Sequence, residues 1–159
     1  MKILRVLALN FVLSLLVILL VAGLLWLDRL WPALLPAWAE TAAIPLFVLG
    51  SAMIVWAVIT LFQHSGTSGA PGDPTTLLVT SGPYRWMRNP IYAGDVILVF
   101  GVAWFTRSPT LLLATFLLLP FLDLFVRKVE EPRTAQRLGE AYTEYLRHVP
   151  RWFPRRPKE

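Results

Sequence analysis

Leu77–Gly94, LLVTSGPYRWMRNPIYAG, is a polar, proline-punctuated segment lodged between long apolar runs, and its reading decides the fold. Pro83 and Pro90 interrupt the backbone ladder, Arg85 and Arg88 bring charge, and Tyr84, Trp86 and Tyr92 bring rings of the kind that settle at a membrane–water boundary. On its N-terminal side lies Ala42–Phe62, a run without a single charge; on its C-terminal side Ile91–Phe105 carries only Asp95. A polar loop flanked in this way belongs at one face of a bilayer, where it turns the chain from one helix into the next.

Working outward, Val6–Leu27 has only Asn10 and Ser14 as polar members and, at about 1.5 Å per residue, is long enough to cross a hydrocarbon core of roughly 30 Å. It reads as a first transmembrane helix. Lys2, Arg5 and the triplet Ala37-Trp38-Ala39 offer a signal peptide as the alternative, but the apolar run is longer than a signal core and the triplet lies well beyond its end. Asp28–Glu40 reads as a short interfacial connection, Ala42–Phe62 as a second span with Pro45 near its start, and Gln63–Thr76 as a Gly, Pro, Ser and Thr-rich loop. Ile91–Phe105 and Thr110–Val126 are short third and fourth spans joined by the turn Thr106-Arg107-Ser108-Pro109. After Glu131, Leu138, Ala141, Tyr142, Tyr145 and Val149 recur at helical spacing among charges, which predicts an amphipathic helix lying on a surface. The expected architecture is an all-α integral membrane protein, a single domain over 1–159 with about four transmembrane helices (6–27, 42–62, 91–105 and 110–126) and a C-terminal interfacial helix.

The apolar fraction of 56% with 16% charged residues in a chain of 159 supports the membrane class. With no cysteine, disulfides, thiolate zinc sites and a cysteine nucleophile are excluded, and His64 and His148 are too few for an imidazole cluster; no metal is expected. The net charge of +5 sits beside apolar segments instead of on a free arm, so the expected partner is the lipid bilayer with its anionic headgroups, not nucleic acid. Of the 15 Lys and Arg, all but Arg29 and Arg107 fall on one side of a four-span arrangement, which predicts both termini and Leu77–Gly94 in the cytoplasm.

The nine glycines form neither a dinucleotide-binding fingerprint nor a phosphate loop, and no Ser-His-Asp spacing is present. Arg88-Asn89-Pro90-Ile91-Tyr92 places a proline at a helix start, leaving free N–H groups beside Asn89 that suit an anionic or amide ligand; the competing reading is Arg88 snorkelling to headgroups and Tyr92 anchoring the interface. Glu130 and Glu131 follow the fourth span, and because adjacent helical residues point about 100° apart, one carboxylate at most enters a pocket while its neighbour caps or pairs. Asp123 has Arg127 one turn later as a partner, whereas Asp95 has no local partner.

The order LVTSGPYRWMRNPIYAG, two short spans, Glu130-Glu131, then LGEAYTEYLRHVPRWFP resembles the isoprenylcysteine carboxyl methyltransferase and phospholipid methyltransferase family of membrane enzymes over about Thr76–Pro154. The resemblance implies a multi-span helical protein that binds S-adenosylmethionine in a cytoplasmic-side pocket closed by the C-terminal segment, with a lipid-like or prenylated acceptor arriving from the bilayer. Carried over by position, it implies that Thr76, Leu77, Leu78, Val79 and Tyr84 line the cofactor pocket, that Asn89, Pro90 and Tyr92 contact the cofactor, and that Glu130 or Glu131 is the acid that holds it. Asn89 stands where the eukaryotic prenylcysteine enzymes often have histidine, and RNPxY resembles the bacterial branch; Leu138 replaces the usual Phe before Gly139.

Methyl transfer from a sulfonium needs alignment in a water-poor site and no covalent protein nucleophile, so this residue set suffices. A carboxylate acceptor is expected to be oriented by Arg88 or Arg127; an amine acceptor is expected to lose its proton to an acid such as Asp95. Both acceptor types stay open, as do two rival functions: an NADPH-dependent sterol-type reductase built on a similar helical core, and a non-catalytic membrane partner protein.

Overall fold

The computed structural model describes residues 19–30, 35–64 and 77–154, and among these the chain is helical with no β-strand. Residues 19–27 form helix α1, which runs into a short 3-10 turn at Asp28–Leu30. Next come α2 (Trp38–His64), a 3-10 turn at Gly82–Arg85, α3 (Pro90–Phe105) and α4 (Pro109–Phe125). A π-helical turn, Val126–Glu130, then leads into α5 (Glu131–Leu138), and α6 (Glu140–His148) follows.

α2 and α3 make the tightest contact. They run antiparallel: Trp38 meets Trp104 edge-on at a centroid distance of 5.6 Å, Phe47 meets Phe105 at 6.1 Å, and nearer the other end Gly50 lies against Gly94. A Cβ on Gly50 would sit 2.9 Å from the carbonyl oxygen of Gly94, so the absence of side chains at both positions is what lets the two backbones approach. α4 packs back on α3 through Phe100 and Phe116, whose centroids are 5.1 Å apart. Its outer face stays exposed and apolar through Leu113, Leu117, Phe121 and Leu124, as the lipid-facing side of a membrane helix must be.

The turn between α3 and α4 fixes the end remote from Leu77–Gly94. Arg107 takes a left-handed conformation with φ 55°, Ser108 caps α4 by accepting the Leu111 N–H at 2.9 Å, and Asp28 accepts the Thr110 N–H at 3.0 Å. Pro109 occupies the first turn of α4, where its missing N–H is harmless.

One expectation is met in part and two are revised. Among the described residues two helices are long and apolar enough to cross a membrane, Trp38–His64 and the continuous Pro109–Leu138 that joins α4, the π turn and α5; α3 has only 16 residues, and most of the first expected span lies outside the described residues. α2 begins at Trp38, ahead of the expected Ala42, which moves Pro45 inside the helix. The single surface helix expected after Glu131 is broken at Gly139, and its apolar face does not lie on a bilayer: Tyr142, Tyr145 and Val149 are buried and pack with Leu78, Ala135, Leu138 and Leu146. The stripe is covered in part by Leu78 of the loop.

Gly139 has φ 66° and ψ −143°, a backbone state essentially reserved for glycine. Nothing lies within 4 Å of where a Cβ would stand, so Gly139→Ala is penalised through the backbone alone. The expected cost is about 1–3 kcal/mol, read as a lowered detergent-solution Tm. An unchanged Tm would show that the α5–α6 hinge is not held in this conformation.

Candidate functional site

At the opposite end from the α3–α4 turn, the loop, the start of α3, the π turn, α5 and α6 border a half-open cavity of about 370 Å³, within the roughly 300–1,000 Å³ usual for small-molecule sites. Leu61 closes it from α2; Leu78, Val79, Tyr84, Arg88 and Asn89 come from the loop; Pro90, Ile91 and Tyr92 from the start of α3. Glu130 comes from the π turn, Thr134, Arg137 and Leu138 from α5, and Tyr142 and Tyr145 from α6. All four tyrosines of the chain line this one space.

The π turn decides which glutamate faces inward. It holds one more residue than an α turn, with the Glu131 N–H donating to the carbonyl of Val126, and the two carboxylates leave the helix in different directions. Glu130 lines the cavity, and its Oε2 is buried without a hydrogen-bond partner. Glu131 lies outside the cavity wall and is fully engaged. Arg88 Nη1 donates to its Oε1 at 2.7 Å, while Arg151 grips both oxygens, Nε to Oε1 at 2.8 Å and Nη2 to Oε2 at 2.7 Å. The side chains of this trio are only 12–16% exposed, which makes the bonds charge-assisted and poorly screened.

The C-terminal segment is laced to the loop by backbone as well. The Arg88 N–H donates to the Pro150 carbonyl at 2.9 Å, Asn89 Nδ2 to the Arg151 carbonyl at 3.4 Å, and the Tyr145 hydroxyl to the Tyr84 carbonyl at 2.7 Å. Asp123 ends up with three partners: Arg127 at 2.7 Å, as the i,i+4 spacing predicts, Trp152 Nε1 at 2.7 Å and Arg151 at 3.4 Å.

Electrostatically the cavity is an aromatic box around one carboxylate. Burial, reinforced by Glu130, pushes the Tyr84 hydroxyl well above its ordinary value; burial and then the neighbouring Glu131 push Tyr142 up to about 12, and burial with Tyr142 beside it raises Tyr145 further. All three therefore stay neutral at physiological pH and offer ring faces and hydroxyl donors, not phenolates. Burial holds the Arg88 guanidinium below its usual range against the pull of Glu131, whereas the hydrogen bonds it donates to Glu131 hold Arg151 above that range. The Arg88 Nε is itself buried without a partner.

Of the residues named from sequence, Leu78, Val79, Tyr84, Arg88, Asn89, Pro90, Tyr92 and Glu130 thus come together on one cavity. Leu77 is exposed and does not line it, Glu131 is committed to two arginines, Arg127 is paired with Asp123, and Asp95 is exposed on α3 away from the lining. Thr76 lies outside the described residues. Sequence reasoning missed Leu61, Ile91, Thr134 and Arg137, and took Leu138, Tyr142 and Tyr145 for a membrane-facing stripe. One signal was present: Thr134, Arg137 and Leu138 continue the helical face that starts at Glu130.

A helical membrane protein with a polar, tyrosine-lined cavity at one end of its apolar helices is the class that fold and site define. The phospholipid methyltransferase family model matches residues 38–141, and the chain belongs to that family of membrane methyltransferases. Among curated proteins, it is 33% identical over 85 residues to the nickel-cobalt-cadmium resistance protein NccN of Alcaligenes xylosoxydans xylosoxydans, covering 53% of this chain and 39% of that protein. It is 34% identical over 86 residues to the cobalt-zinc-cadmium resistance protein CzcN of Cupriavidus metallidurans, covering 53% of this chain and 38% of that protein. The match thus spans less than two fifths of each relative's length. No solved structure matches the chain.

Proposed function

We propose that this chain transfers a methyl group from S-adenosylmethionine to a lipid-like or lipid-attached acceptor, a carboxylate or an amine, at the cytoplasmic face of a membrane. The observation that carries the reading is the buried, unpartnered Oε2 of Glu130 on the same cavity as the unpartnered Nε of Arg88 and four tyrosine rings. A buried carboxylate oxygen without a donor is costly, and a ligand that brings an ammonium relieves that cost.

The residues fit the cofactor group by group. Glu130 accepts from an ammonium, Arg88 Nε donates to a carboxylate, and the faces of Tyr84, Tyr92 and Tyr142 suit a sulfonium through cation–π attraction. Leu61, Leu78 and Leu138 exclude water from the wall. When bound, the cofactor supplies an electrophilic methyl on sulfur, taken in line by the acceptor. The exposed apolar faces of α2 and α4 favour an acceptor that reaches the cavity laterally from the bilayer, and the one-sided distribution of Lys and Arg favours a cytoplasmic site. The relatives' names speak of nickel, cobalt, cadmium and zinc; among the described residues no three His, Asp or Glu side chains gather, so methyl transfer and not metal binding is what we carry over.

Isothermal titration of the detergent-solubilised chain tests the reading. S-Adenosylhomocysteine is expected to bind with a micromolar Kd, and NADPH is not; NADPH binding, or binding of neither, overturns it. Incubation with a radiolabelled methyl donor and a lipid extract then identifies the acceptor.

A further inference from the structure

Glu131 stands beside the only inward-facing glutamate of the pair, yet all its bonding capacity goes elsewhere. It holds Arg88 from the loop and Arg151 from the C-terminal segment in one buried cluster, two pieces of chain that also share the Arg88 N–H to Pro150 bond. Arg88 is the common member: it lines the cavity, one end of its guanidinium is fixed on Glu131, and its Nε is buried without a partner. Removing Arg151 strips two of the three hydrogen bonds on Glu131, and with them the restraint on how Arg88 is presented.

We propose that Glu131 is a positioning residue that clamps the C-terminal segment Pro150–Trp152 to Arg88, so that Arg88 presents its free Nε to the cavity only while that segment is docked. Tail docking and ligand binding are then two sides of one equilibrium, and each must strengthen the other by the same factor. Asp123 supports the same closure from about two turns earlier in the helix, through Trp152 and Arg151, without touching the cavity. The inference rests on the cofactor reading above for the identity of the ligand, but not for the clamp itself.

The absence of cysteine allows a direct readout: Phe153 is 84% exposed, so Phe153→Cys carries a nitroxide label next to the clamp in an otherwise unlabelled chain. In the labelled full-length protein the spectrum is expected to be restrained, and to become more so with S-adenosylhomocysteine. Glu131→Gln and Arg151→Gln should each free the label and weaken S-adenosylhomocysteine about tenfold, within the usual span of coupling between sites. The double variant should lose little more than Glu131→Gln alone, because that substitution already removes the grip of Arg151 on Glu131. Arg151→Lys, which keeps the charge but not the two-pronged grip, should recover part of both signals. Arg151→Gln alters only the tail, so the test survives if Glu131→Gln folds poorly. Lost affinity with a still-restrained label would make Glu131 a direct ligand contact and overturn the proposal, as would a freed label with unchanged affinity. If the parent binds no S-adenosylhomocysteine, the cofactor reading falls alone, since the label still reports whether Glu131 holds the tail.

Discussion

Glu130→Gln is expected to weaken S-adenosylhomocysteine binding by about 2–4 kcal/mol, roughly 30- to 700-fold, the loss typical of removing one charge from a buried hydrogen-bonded pair. The same substitution should leave the detergent-solution Tm unchanged or raise it. In the free protein Glu130 buries a carboxylate oxygen that nothing satisfies, and a neutral amide is cheaper to bury than a charge. A binding site that is more stable when its key residue is replaced is the usual mark of a group retained for a ligand and not for folding. Titration calorimetry and thermal unfolding on one preparation check both halves. If Glu130→Gln binds as tightly as the parent, the carboxylate is not the ammonium partner; if it binds weakly but also unfolds early, Glu130 belongs to the scaffold.

The second large effect concerns the α2–α3 crossing. Gly50→Leu is expected to lose most of the folded population in detergent, and Gly50→Ala to cost about 1–3 kcal/mol, the usual range for overpacking. A Cβ at Gly50 meets the Gly94 carbonyl oxygen at 2.9 Å and Leu98 Cγ at 2.9 Å, and at Gly94 it meets Ile54 Cγ1 at 2.6 Å and the Gly50 carbonyl oxygen at 3.0 Å. Side-chain ends can swing away, but backbone carbonyls move only if the helices part. Parting them also displaces the start of α3, which carries Asn89, Pro90 and Tyr92, from Leu61 at the end of α2. Gly50→Ala should therefore lower ligand affinity along with Tm, although Gly50 touches no part of the cavity. An unfolding free energy within about 0.5 kcal/mol of the parent would place Gly50 among ordinary surface positions and refute the close crossing.

Both expectations show where legibility ended. Hydropathy announced the apolar runs because a helix in lipid must satisfy its backbone internally and cover itself with apolar side chains, a demand written residue by residue along the chain. Proline at the first turn of α3 and α4, the Thr106–Pro109 turn and the Asp123–Arg127 pair were readable for the same reason: each depends on neighbours within one or two turns. The family followed from the ordered motifs of Leu77–Gly94, Glu130-Glu131 and the tail.

The sequence by itself thus determined the membrane class, the helix-forming runs, the family and the two pieces of chain that border the cavity. Only the tertiary structure decided which of two adjacent glutamates faces inward, because that depends on a π turn whose extra residue leaves no trace in hydropathy. It also turned Tyr142 and Tyr145 from an expected lipid-facing stripe into cavity wall, since an apolar stripe records that it must be buried and not against what. Glu131 left the cavity lining for a related reason: a charged side chain has its role set by the partner that reaches it first, and Arg88 and Arg151 lie far from Glu131 in sequence but against it in the fold.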